Sequence, residues 1–114
     1  LIEPENIDSN YDHDDISILE DKGKNYRGLK NTTVSGRLCK GWNEKRWQSD
    51  KKNLSTKTPI EDYKEAFDLD AVGVGKHNYC RNLFADSTNS SHDQYNKPWC
   101  FTTDPTARWE FCFP

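Results

Sequence analysis

Four cysteines in a chain of 114 residues, Cys39, Cys80, Cys100 and Cys112, constrain this sequence more than any other feature. No Cys-x-x-Cys and no short Cys/His pair occurs. The tight chelate loops of a structural zinc site are therefore missing, and no metal or other cofactor is expected. A catalytic thiol would need a histidine partner, and His13, His77 and His92 are all available by sequence. An even cysteine count in a short, polar, aromatic chain points first to disulfides and an oxidising compartment. Four cysteines admit three pairings, and spacing alone does not choose among them.

Only 32% of the residues are apolar and 31% are charged, which excludes a large oil-like core. Low apolar content by itself would permit disorder, because it cannot offset chain entropy. The four Trp, five Tyr and five Phe argue otherwise, concentrated as they are in the middle and C-terminal parts. A small aromatic core braced by disulfides is the reading that survives. No run approaches the roughly 20 apolar residues of a membrane-spanning helix, so no membrane insertion is expected. The opening LIEPENIDSNYDHDD carries acids where a signal peptide needs a basic and then an apolar region.

Charge is unevenly distributed. Residues 1–17 hold Glu3, Glu5, Asp8, Asp12, Asp14 and Asp15 with no Lys or Arg, so a net charge of -3 leaves the remainder positive. We read 1–17 as an acidic flexible tail or linker and 18–114 as the folded domain. That domain lacks the dense Lys/Arg stripe of a nucleic-acid binder, and no nucleic-acid partner is expected. Three N-glycosylation acceptors, Asn31-Thr-Thr, Asn53-Leu-Ser and Asn89-Ser-Ser, agree with export.

Along the chain, Thr32–Cys39 reads as a short extended segment, and 43–57 and 86–97 read as loops. One clear helix signal stands between those loops. Thr58 is the N-cap, Pro59 takes the first helical position, Glu61 completes a capping box, and Ile60, Tyr63 and Phe67 share a face. A short helix is predicted over 59–68. The end, Lys97 to Cys112, reads as two extended segments around an Asp-Pro turn, with Trp99, Phe101, Trp109 and Phe111 on repeated faces. Such an aromatic shelf can be core, ligand platform, or one face of each.

These motifs resemble the kringle domains of secreted and cell-surface proteins. The likeness runs through GKNYRG (Gly23–Gly28), CKGW (Cys39–Trp42), VGKHNYCRN (Val74–Asn82) and PWCFTTDPTARWEFC (Pro98–Cys112). The resemblance implies a small, disulfide-rich, mostly irregular fold with short antiparallel β-strands, and the predicted helix becomes an insertion. A typical kringle has six cysteines; the four here match the second to fifth, and Ile18 stands where the first would be. The pairing so implied is Cys39–Cys100 and Cys80–Cys112. The Cys39–Cys80 and Cys80–Cys100 segments are longer than usual, which either creates a new contact surface or blocks the old one.

Many kringles bind lysine side chains in a trough that needs a carboxylate pair for the ammonium, aromatic walls for the stem and a cation for the far end. By similarity the walls fall on Trp99, Phe101 and Trp109, with Phe111 behind, and the cation on Arg108. Trp99 and Trp109 are the better candidates for exposure, whereas Trp42, Tyr79 and Phe111 are better core candidates. Arg108 has Glu110 and Asp104 as possible surface partners. The family's Asp-x-Asp becomes Phe84-Ala85-Asp86 counted from Cys80, or His92-Asp93-Gln94 counted back from Trp99. Either register supplies one carboxylate, Asp86 or Asp93, and never the pair. The site is thus expected to be degenerate.

The resemblance implies a noncatalytic protein-binding module of a secreted or extracellular multidomain protein, monomeric in isolation. The alternatives are weak lysine binding, glycosaminoglycan binding through Lys22, Lys24, Arg27, Lys30 and Arg37, or an accessory role beside a secreted serine protease. The chain itself has no Gly-x-Ser-x-Gly elbow. Its Asn-, Lys- and Asp-rich texture is similar to that of modular surface or secretory proteins of apicomplexan parasites, where the implied role is adhesion or protein assembly.

Overall fold

Two disulfides sit at the centre of the fold. The computed structural model describes residues 16–48 and 53–114. Cys39 is bonded to Cys100 and Cys80 to Cys112, across sequence separations of 61 and 32. All four cysteines are buried, and Sγ of Cys39 lies 3.8 Å from Sγ of Cys80. The two bridges therefore form one sulfur kernel. With every cysteine paired, none is available as a thiol nucleophile or metal ligand.

Regular structure around the kernel is sparse. Strands β1 (Trp99–Phe101) and β2 (Trp109–Phe111) form a two-stranded antiparallel sheet, with Trp99 opposite Phe111 and Phe101 opposite Trp109. The turn between them is closed by the Thr102 hydroxyl, which donates to the Ala107 carbonyl and accepts from the Asp104 N–H. Isolated antiparallel bridges join Arg81 to Trp99 and Cys39 to Thr102, fastening two further segments to β1. Thr32–Cys39 contributes bridges in place of the expected extended segment, because a turn at Gly36 brings Leu38 back to Thr32.

Helix α1 spans Pro59–Tyr63. Its Thr58 hydroxyl accepts from the Glu61 N–H, and the Glu61 carboxylate accepts from the Thr58 N–H, so the capping box is complete. These bonds hold the Glu61 carboxyl below its usual range. The helix ends at Tyr63 rather than continuing to 68. After it the chain turns, and Asp68 accepts from the Ala71 N–H to start the short 3-10 turn Asp70–Val72. Ile60 and Tyr63 on the helix and Phe67 in the turn after it all pack against the core.

Further 3-10 turns lie at Ile16–Ile18, Glu20–Gly23 and Ser90–His92. Of the expected tail, residues 1–15 lie outside the described residues; Ile16 and Ser17 begin the first turn. Gly23 has φ of +77°, and a Cβ there would come within 2.5 Å of Pro98, so only glycine lets this segment pack against the entry to β1. Among the described residues no helix is long and apolar enough to cross a membrane.

Candidate functional site

The β-hairpin presents the four aromatic rings of the expected shelf, but the shelf is covered. Trp99 is fully buried and Phe101 is 4% exposed, while Trp109 and Phe111 are half-buried. The expectation of an exposed Trp99 is corrected by this burial. Trp42 packs edge-on against Trp99 and Phe101 from the core side, at centroid distances of 5.3 and 5.8 Å. Phe84 stacks on Trp99 at 5.4 Å, and Tyr95 closes over both Trp99 and Trp109 at 4.8 and 4.5 Å.

Both long loops supply this cover. Phe84, His92 and Tyr95 come from the Cys80–Cys100 segment. His92 lies parallel to Phe84 at 3.9 Å and is oriented by a 2.7 Å hydrogen bond between Nδ1 and the Ser87 hydroxyl. Tyr63 and Phe67, from α1 and the turn after it, meet Phe84 at 5.3 and 5.8 Å. Burial pushes the Tyr95 hydroxyl pKa above its usual value.

Asn82 locks the cover to the scaffold. Its side chain is fully buried, and Nδ2 donates to the Lys22 and Tyr95 carbonyls at 2.8 and 2.6 Å. Its Oδ1 accepts from the Phe84 N–H and the Trp99 indole, both at 3.0 Å. One amide thereby fixes the stacking partners as well as the N-terminal turn.

The expected polar ends are distributed differently. Asp86 pairs with Lys24 at 3.1 Å and lines a cavity of about 350 Å³ with Asp21, Lys22, Lys24 and Ala85. Asp93 is exposed at the end of the Ser90–His92 turn. Arg108 lies 5.6 Å from the Phe101 centroid and donates through Nε to the Trp47 carbonyl. Arg37 takes the carboxylates suggested for Arg108: Asp104 at 2.8 Å and Glu110 at 3.3 Å. The Arg37 hydrogen bond, followed by those from the Thr106 N–H and hydroxyl, lowers the Asp104 pKa to about 2. Burial would raise Glu110, but hydrogen bonds from Thr33, Ser35 and Arg37 outweigh it and the net shift is downward.

Arg46 and Asp62 were not singled out by sequence. Arg46 is 7% exposed, and its guanidinium lies 5.3 Å from the Phe101 centroid and 5.7 Å from that of Tyr63. Asp62 on α1 meets it at 2.6 Å. A cation flanked by rings and paired with a carboxylate is thus present in this region, supplied by the chain itself. Other basic residues are also engaged. Arg27 donates to the Lys24, Tyr26 and Ala71 carbonyls, and Lys30 sits over Phe113.

The Kringle domain model matches residues 18–113. The chain belongs to the kringle family. It is 42% identical to goat (Capra hircus) plasminogen over 90 residues, covering 79% of this chain and 55% of that one. It is 37% identical over 90 residues to human (Homo sapiens) "Putative apolipoprotein(a)-like protein 2", covering 79% and 52%. The kringle thus spans about half the length of the curated relatives it matches.

Proposed function

We propose that this kringle is a noncatalytic protein-binding module of a secreted or cell-surface multidomain protein, and that its lysine trough is closed by its own inserted segments. The observation that carries this reading is the stack of His92, Phe84 and Trp99. In the register counted from Cys80, Phe84 occupies the first carboxylate position of lysine-binding kringles, and its ring lies on the platform that a lysine stem would need. The remaining acid of that pair, Asp86, holds an internal lysine, Lys24. A single exposed ion pair contributes only about 0–1 kcal/mol, so Asp86 alone would anchor lysine weakly.

Contact with a partner then falls to what the inserts leave open. Trp109 and Phe111 keep half-buried rings, with the Lys97 ammonium 4.8 Å from the Phe111 centroid. Aromatic surface beside a cation suits a protein partner. The acidic stretch that ends at Asp15 serves as a linker in this reading. Asn53 and Asn89 are exposed and Asn31 is half-buried, so Asn53 and Asn89 are the preferred glycan acceptors. We assign the parent to the modular secretory or surface proteins of an apicomplexan parasite on its Asn-, Lys- and Asp-rich composition, its four cysteines and its long insertions. Calorimetric titration of the chain with 6-aminohexanoate tests the closed trough. The expected result is no saturable heat in the micromolar range; micromolar binding would refute it.

A further inference from the structure

We infer that Arg46 is a tethered ligand, occupying a guanidinium-recognition cage formed by Asp62, Tyr63 and Phe101, and that the same cage accepts an arginine side chain from a partner protein when Arg46 withdraws. This inference rests on the reading of the trough as closed, and concerns a cation beside its Phe101 wall.

The cage has the chemistry a guanidinium requires. Asp62 supplies the anion at 2.6 Å, while Phe101 and Tyr63 supply ring contacts at 5.3 and 5.7 Å. Phe101 belongs to β1 of the scaffold, whereas Asp62 and Tyr63 belong to α1. The capping box fixes the backbone of α1, which carries both Asp62 and Tyr63.

Arg46 fills this cage incompletely. Its second terminal nitrogen reaches the Ser55 hydroxyl and the Lys57 carbonyl only at 3.4 Å each, and its buried Nε has no hydrogen-bond partner. A guanidinium carries five N–H donors, so much of its capacity is unspent. An integral structural arginine contrasts with this. Arg81 directs Nε and a terminal nitrogen onto carbonyls of Gly73, Gly28 and Cys80 at 3.1, 2.8 and 2.7 Å. Arg46 is held chiefly by one charge and two rings, which an incoming arginine reproduces. Arg46 reaches the cage from an arm closed by the Trp47–Leu54 bridge and the Ser55 N–H bond to its own carbonyl. A site open only a fraction of the time shows an affinity reduced by that fraction, so deleting the tether exposes the intrinsic affinity.

The test compares wild type, Arg46→Ala and Arg46→Ala/Asp62→Asn, titrated with N-acetylarginine amide in salt-matched buffer, by calorimetry and thermal unfolding. Arg46→Ala is expected to bind at least about ten-fold more tightly than wild type and to gain thermal stability with added ligand, and the double variant to lose both effects. Should Arg46→Ala be unfolded alone, the same compound is expected to restore its near-ultraviolet circular dichroism. A folded Arg46→Ala that binds no better than wild type, binding indifferent to Asp62→Asn, or an unfolded variant that is not restored would overturn the inference. Those results leave the closed trough standing, since only 6-aminohexanoate binding by wild type speaks against it.

Discussion

The Phe84 ring lies 5.4 Å from Trp99 at an interplanar angle of 24°, and His92 lies on it at 3.9 Å. Phe84 is 4% exposed, so its removal leaves a cavity against both rings. Phe84→Ala is expected to cost about 3–5 kcal/mol in urea unfolding. Phe84→Asp restores the family's acid in sequence but places a carboxylate among aromatic rings, and no lysine binding is expected from it. Unchanged stability in Phe84→Ala would mean that the stack is not part of the folded core.

Asn82 provides a sharper test of the same region, because its two ends have opposite polarity. Asn82→Asp turns an acceptor toward the Lys22 and Tyr95 carbonyls that now receive hydrogen bonds. Loss of both bonds and the new repulsion are expected to destabilise the fold by at least about 3 kcal/mol at neutral pH. Acidification, by protonating the new carboxyl, should recover part of that loss. A variant as stable as wild type by urea titration would contradict the four-bond arrangement.

How much of this was legible in the sequence differs by element. The motif around each cysteine identified the family and implied both disulfides, because glycine, cysteine and aromatic positions are set by close packing around the sulfur kernel. The Thr58–Glu61 capping box was legible because caps are local chemistry. Its downstream end was not, since Asp68 bonding to the Ala71 N–H is a turn choice among several that Asp permits. Phe84 could be counted into the carboxylate register, but counting does not reveal that His92 and Tyr95 fold back over it. Arg46 lay in a stretch whose polarity reads as solvent-facing loop. Only tertiary contact with Asp62 makes it a buried cation.

Stability should fall on acidification in two windows. His77 donates from Nε2 to the Gly73 carbonyl and accepts at Nδ1 from the Tyr79 N–H, which requires the neutral ring. Burial, aided by the charges of Arg81 and Arg27, outweighs the Gly73 bond and lowers its pKa. The unfolded chain therefore binds this proton first, and stability is expected to decline as pH falls below about 6.5. Asp104, held at about 2 in the fold, adds stability present above the ordinary carboxylate range and lost as pH falls toward 2. Urea midpoints measured across pH, with His77→Gln and Asp104→Asn, check the assignment. Each substitution should flatten its own window, and a His77→Gln profile identical to wild type would remove His77 from the account.

The sulfur kernel makes its own prediction. Cys80→Ser/Cys112→Ser is expected to cost about 2–5 kcal/mol, from loss of the cross-link and of buried packing. Nonreducing peptide mapping should recover Cys39 with Cys100 and Cys80 with Cys112. With the Cys39 and Cys80 sulfurs only 3.8 Å apart, the informative contrary result is a peptide joining those two.

The central claim is that the aromatic platform is covered by the chain's own inserts, and the Trp99 indole reports on it directly. Its N–H is buried and donates to Asn82 Oδ1 at 3.0 Å. Nuclear magnetic resonance of the indole N–H resonances is the measurement, with solvent exchange followed before and after addition of millimolar 6-aminohexanoate. The account predicts a slowly exchanging Trp99 resonance that does not move on addition. A rapidly exchanging Trp99 resonance that shifts saturably with the ligand would contradict it.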